Sequence, residues 1–208
     1  MGLSKLYLVE PKLFPHAEAT AMASGADDLL AKAMVCDTLD KALADCHTVF
    51  GLSARERTIA WPQMSPRQCA QFSAEHDSEI AFVFGREHSG LTNDELERCH
   101  YHVTIDANPE YPSLNLAAAV QIMCYETRMA AMGASPAKTG NLPAPVEDVE
   151  RYFEHLERVI TDVGFLDPKQ PGHIMRRLRR LFTKAQPDKQ DINILRGVLS
   201  AVEKAKKA

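Results

Sequence analysis

The side chains able to do chemistry gather between residues 80 and 128. Two short apolar runs, residues 80–84 and 102–105, each end in a polar loop rather than a tight hairpin, the pattern of buried strands. Gly85, Glu87 and Gly90 follow the first run, and Thr92-Asn93-Asp94-Glu95 then forms a capping-box signature that starts a helix. After the second run, Pro109, Tyr111 and Pro112 stiffen a loop that delivers Ser113 to the mouth of a long apolar helix. Open α/β sheets bind ligands where strand ends spill into such glycine- and proline-shaped loops. The sequence has no G-x-G-x-x-G after a strand, no P-loop, no H-E-x-x-H and no G-x-S-x-G. A cofactor site here is therefore not an ordinary dinucleotide fold, and a serine hydrolase has no motif behind it.

Two other clusters carry chemistry. Cys99, His100 and His102 invite a metal reading. Successive strand residues point to opposite faces, so Cys99 and His100 cannot both meet one ion alongside His102, and no metal is expected. Arg176, Arg180 and Lys184 fall on one helical face at i, i+4 spacing. That patch suits RNA phosphate contacts; a solvated helix face is the alternative.

The elements that must position these groups alternate along the chain. Residues 6–9 and 48–51 read as strands, and the alanine-rich stretches 17–26 and 28–35 read as helical. Thr38 caps a further helix, and Ser65-Pro66 opens another that runs toward Phe72. Such alternation predicts an α/β fold, a mostly parallel sheet with helices on both faces. Residues 114–132 are the strongest helix, ending at Gly133. Residues 133–145 have the Gly, Pro, Ala and Ser content of a linker. Beyond it, 146–162, 174–184 and 191–206 show helical periodicity without strand signals. The expected organisation is an α/β domain over 1–132, a linker over 133–145 and a small all-α extension over 146–208.

Length and composition agree with one α/β domain plus an appendage: 208 residues, 45% hydrophobic and 25% charged. No apolar run approaches the roughly 20 residues needed to span a bilayer, and no signal-peptide pattern opens the chain. Five cysteines, odd in number and without a C-x-x-C, read as reduced thiols in a cytoplasm. The net charge of −4 is unevenly spread. Residues 146–208 hold 13 Lys and Arg against 10 Asp and Glu, leaving 11 against 18 in the remainder.

The loop residues carry a more specific signal. Phe84-Gly85-Arg86-Glu87-His88-Ser89-Gly90-Leu91, followed by Pro109-Glu110-Tyr111-Pro112-Ser113-Leu114-Asn115-Leu116, resembles the second and third motifs of the SPOUT methyltransferases. The resemblance is to the branch that methylates ribose 2′-hydroxyls of RNA. It continues through Gly51, Ser53, Ala54, Arg55, Trp61 and Pro62, and through His155, Arg179, Phe182 and Arg196 of the helical extension. Over nearly the whole chain the sequence is similar to bacterial tRNA methyltransferases acting on nucleotide 32 of the anticodon loop. The resemblance implies a trefoil knot, an exception to unknotted topology, with S-adenosylmethionine bent inside it. The implied cradle is Leu52, Ser53, Ala54, Gly85, Ile105, Pro112, Ser113 and Leu114, with Glu87, Ser113 and Asn115 as polar catalytic-site residues. It also implies a homodimer whose substrate pocket draws on both subunits. Arg55 and Arg57, beside the cofactor loop, read as RNA phosphate contacts or else as solvated charge. Gly85 lets backbone approach the ligand closely, or serves a turn with Gly90. Glu87 and Asn115 have loop bracing as their alternative, and Ser113 a helix N-cap.

The chain departs from the family at its start. From Met1 it matches the family only from the end of the first helix onward, and no stretch supplies the family's first motif, an Asn-x-Gly-x-x-Ala-Arg pattern. The resemblance implies that this arginine activates the ribose hydroxyl, a poor nucleophile at neutral pH. Its loss should cost orders of magnitude in rate, so the chain as given is expected to keep the cofactor and tRNA-binding residues and to lack most activity. A start assigned at an internal methionine is the favoured explanation. A lost strand should also leave an edge or apolar surface exposed. The competing functions are a catalytically weak cofactor- or RNA-binding protein and a ribosomal RNA 2′-O-methyltransferase.

Overall fold

Short β-branched and aromatic runs alternate with amphipathic segments, and the chain folds accordingly. The computed structural model describes residues 1–54, 61–133, 142–167 and 172–207. The first half runs β1 (Tyr7–Val9), α1 (Ala17–Met22), α2 (Asp27–Ala31), β2 (Met34–Cys36), α3 (Leu39–Leu43) and β3 (Thr48–Leu52). Then come β4 (Gln63–Met64), α4 (Pro66–Glu75), β5 (Ile80–Val83), α5 (Asn93–Glu97), β6 (Tyr101–Val103) and α6 (Leu116–Gly133). Three helices close the chain: α7 (Val146–Asp162), α8 (Gly172–Ala185) and α9 (Lys189–Lys207).

All strand pairs are parallel: a four-stranded sheet in the order β4-β6-β3-β5 and a separate pair, β1-β2. Every residue of β3 is buried, because helices cover both faces of the sheet. Phe50 and Leu52 pack with Cys69 and Phe72 of α4 and Met123 of α6. Val49, one residue out of phase, packs on the opposite face with Leu43 of α3, Cys99 and Val146. β5 alternates in the same way, Phe82 joining the first cluster and Ala81 and Val83 the second. Phe50 is central, its ring 5.4 Å from those of Phe82 and Tyr101. Truncating such a ring to alanine costs about 3–5 kcal/mol.

The last three helices have their own core. Tyr152, Phe153, Leu156 and Val159 of α7 meet Met175 of α8 and Ile192 and Leu199 of α9. The α7–α9 unit is tied to the rest of the chain by the Val146 N–H on the Cys46 carbonyl, between α3 and β3, at 2.8 Å and by Arg176 on Glu97 of α5 at 2.5 Å.

Several expectations change. The helical reading of 28–35 stops at Ala31, and Met34–Cys36 instead pairs with β1, Tyr7 opposite Met34 and Val9 opposite Cys36. That pairing depends on a partner far away in sequence, which local propensity does not report. The helix expected over 17–26 ends at Met22, and Ser24 and Gly25 turn the chain with positive φ. The long apolar helix begins at Leu116 rather than 114. Of the linker-like stretch, 142–145 is anchored: Ala144 is buried and its N–H donates to the Pro187 carbonyl at 2.8 Å. Residues 134–141 lie outside the described residues. The β1-β2 pair leaves Tyr7, Val9, Met34 and Val35 exposed.

Candidate active site

Because β3, β5 and β6 are parallel, their C-terminal ends open on one side of the sheet. A cavity of about 270 Å³ lies there. Leu52, Ser53 and Ala54 enter it from the end of β3, residues 84–91 from the loop after β5, and Val103 and Ile105 from β6 and its extension. Pro112, Ser113 and Leu114 close it beside Leu116 and Ala119 of α6. All eight residues expected to cradle the cofactor therefore line one cavity, and Glu87 lines it too. The apolar walls Phe84, Leu91, Val103, Leu116 and Ala119 were not singled out from the sequence. Phe84, Leu91 and Leu116 sit inside the paired motifs, which was the signal available.

The loop after β5 is braced internally. The Gly90 N–H donates to the Arg86 carbonyl at 2.8 Å, and Gly90 adopts φ +66°. A Cβ on Gly85 would stand 2.1 Å from the Gly90 carbonyl carbon and 2.2 Å from the Leu91 nitrogen. Gly85 is thus required by the loop folding back on itself, the turn with Gly90 that the sequence also allowed. The capping box at α5 holds the same loop: the Thr92 N–H donates to Glu95 at 2.7 Å, and Arg86 donates to both Glu95 oxygens at 3.0 and 3.1 Å. Burial raises the Glu95 pKa, but the Thr92 N–H and the Arg86 guanidinium outweigh it and hold that carboxyl below its ordinary range. Arg86 is thereby committed, while Glu87 makes no ion pair among the described residues. The floor is tied by the Ser53 N–H on the Val103 carbonyl at 3.0 Å and the Thr104 hydroxyl on the Ser53 carbonyl at 3.3 Å.

Ser113 and Asn115, both expected among the polar catalytic-site residues, are placed differently by the structure. Asn115 is the cap of α6, its Oδ1 accepting from the Ala117 N–H at 2.9 Å and the Ala118 N–H at 3.4 Å, and it does not line the cavity. Ser113, two residues earlier, lines the cavity and is not that cap.

The expected RNA-binding residues divide. Arg55 and Arg57 lie outside the described residues. Arg176 is paired, 2.5 Å from Glu97 and 3.7 Å from Asp94, so it is a joint between α8 and α5 rather than a free cation. Arg180 and Lys184 line a second pocket, beside Trp61 and Tyr101. Cys99, His100 and His102 are each engaged separately. The Cys99 thiol donates to the Glu95 carbonyl at 3.4 Å, and His100 Nδ1 accepts from the Val49 N–H at 3.0 Å. The His102 ring stacks on Trp61 at 5.5 Å.

Comparison with known proteins places this architecture. Residues 1–125 match the model of the SpoU rRNA methylase family, and residues 147–208 match the C-terminal domain of the tRNA methyltransferase TrmJ. The chain belongs to the TrmJ family of tRNA 2′-O-methyltransferases. It is 50% identical to the tRNA (cytidine/uridine-2′-O-)-methyltransferase TrmJ of Cronobacter sakazakii, over 99% of this chain and 87% of that relative. Against TrmJ of Photorhabdus laumondii the identity is 53%, over 98% of this chain and 87% of the relative. The crystal structure of TrmJ from Z. mobilis ZM4 superposes with a TM-score of 0.87 at 37% identity, covering 97% of this chain and 88% of that one. In TrmJ terms, the cavity and its loops lie in the part matched by the SpoU model, and α7–α9 in the part matched by the TrmJ C-terminal model.

Proposed function

We propose that the chain uses S-adenosylmethionine to methylate the ribose 2′-hydroxyl of cytidine or uridine at nucleotide 32 of the tRNA anticodon loop. The observation that carries this reading is the cavity at the parallel strand ends, where the two motif loops meet. Its residues fit the cofactor's chemistry: apolar walls for a heterocycle, loop backbone for a few polar contacts, and one uncommitted carboxylate for a sulfonium cation. When bound, S-adenosylmethionine supplies an electrophilic methyl group for transfer to an oxygen nucleophile. Glu87 places negative charge at the cavity and can accept the proton that the hydroxyl loses. The Ser113 hydroxyl, in the 112–114 segment of the lining, orients the substrate, and Asn115 holds that segment in place by capping α6. Tyr125, Met129 and Met132 make an exposed apolar stripe on α6, which supports a homodimer. The same reading takes residues 1–132 as a knotted SPOUT domain and 146–208 as a tRNA-binding extension joined by 133–145. Five free cysteines support a cytoplasmic location.

Calorimetric titration tests the cofactor assignment. One S-adenosylhomocysteine should bind per chain, and Glu87→Gln should weaken the cationic S-adenosylmethionine roughly tenfold and the neutral product less. No binding of either ligand overturns the proposal. Mapping of the methyl group on an unmodified tRNA transcript after prolonged incubation tests nucleotide 32, slow transfer being expected of a sequence without the first-motif arginine.

A further inference from the structure

Four arginines crowd one turn and a half of α8, and the structure treats them differently. Arg176 is committed to Glu97. Arg179 donates to both Glu150 oxygens at 2.6 and 2.8 Å and lies 4.4 Å from the Phe153 ring centre. Arg177 is exposed. Arg180 has a buried Nε without a hydrogen-bond partner, and it forms no ion pair among the described residues. A guanidinium partly withdrawn from water without an acceptor is unfavourable unless an anion completes it.

Arg180 lines an open pocket of about 300 Å³ between α8 and the sheet, together with Thr183, Lys184, Trp61, Pro62 and Tyr101. Three donors, the second and third lying three and four positions after the first on a single helix, therefore face one space. The opposite wall is rigid. The Trp61 indole N–H donates to the Cys99 carbonyl at 3.0 Å, its ring stacks on His102, and the Tyr101 hydroxyl accepts from Gln186 beyond the end of α8. Aromatic rims beside paired cations suit a nucleotide unit, the cations meeting phosphate and the rims meeting sugar and base. β6 links this pocket to the cavity described above, with Tyr101 at its first residue and Val103, a cavity wall, at its last.

We propose that this junction pocket seats a backbone phosphate of the RNA substrate, with Arg180, Thr183 and Lys184 as donors and Trp61 and Tyr101 as the wall. It rests on the reading above that the substrate is RNA, and it makes docking of α8 on the sheet part of substrate binding.

Trp61 is the only tryptophan in the chain, so its fluorescence reports on the pocket directly. An anticodon stem-loop RNA and inorganic phosphate are titrated separately against the full chain and against Arg180→Met/Lys184→Ala, at several salt concentrations. The RNA should change Trp61 emission at concentrations where inorganic phosphate does not. The double variant should lose about tenfold in RNA affinity whatever the sequence, and its salt slope should fall by roughly 0.7–0.9 for one lost phosphate contact. Its melting temperature should not fall, since Arg180 has no ion-pair partner among the described residues to lose. Unchanged affinity and slope in the double variant overturn the proposal, as does a lowered melting temperature in Arg180→Met alone. An equal Trp61 response to inorganic phosphate overturns the RNA assignment in favour of a small-anion site. No RNA binding by the parent chain overturns the underlying reading together with this one, even if S-adenosylhomocysteine still binds.

Discussion

His100 joins the start of β6 to β3 twice, donating its N–H to the Val49 carbonyl at 2.8 Å and accepting the Val49 N–H on Nδ1 at 3.0 Å. That second bond requires Nδ1 to be bare. Burial pushes the His100 pKa down from 6.5 to about 4. Between those values the unfolded chain binds a proton that the folded chain refuses. The contribution is therefore complete above the unfolded value and is lost as pH falls toward the folded one, up to about 3 kcal/mol. Urea unfolding between about pH 7 and 4.5 should show the parent losing stability more steeply than His100→Asn. Parallel losses would exclude this histidine as the source. At Gly85 the expectation is steric. Gly85→Ala puts a methyl 2.1 Å from backbone, so the loop must open, at a cost of more than about 2 kcal/mol. S-adenosylhomocysteine affinity should fall at least tenfold in that variant, read by calorimetry.

Elements differ in how far their neighbours in sequence define them. The Thr92/Glu95 capping box, the Thr38 cap and the helix start at Ser65-Pro66 form as read, and the structure adds a Ser65/Gln68 capping box, because each closes within three residues. β2 was read as helix, since its three residues become a strand only beside β1. Asn115 caps α6 where Ser113 was the alternative, a difference of two residues that decides which side chain is left for the cavity. The patch on α8 was legible as a face, not as a set of partners. Glu97, which holds Arg176, has its pKa raised by burial while Arg176 pulls it down. A double-mutant cycle on Arg176→Ala and Glu97→Gln should return a coupling of about 1 kcal/mol. Hydrogen exchange in α8 should rise in either single variant. Zero coupling would reduce the pair to a surface contact.

At the scale of the molecule, Tyr125, Met129 and Met132 lie on one side of α6 at 50%, 45% and 69% exposure. If that stripe is where two copies meet, Met129→Asp should turn a dimer into a monomer in sedimentation equilibrium and weaken tRNA binding in parallel. A monomeric parent would remove the assignment. Taken alone, the sequence determined the α/β alternation, the capped helix starts and the loops that build the cavity. Caps, amphipathic periods and paired motifs are written in neighbouring residues, and the eight expected cradle residues do converge. Tertiary structure decided what each polar group meets. It alone shows that Gly85 is crowded by Gly90, that Arg176 is neutralised and that Arg180 meets no carboxylate among the described residues. The physical reason is common to all three: a charge or a close contact is satisfied by whatever packing brings beside it, and for Arg176 that residue comes from a different part of the chain.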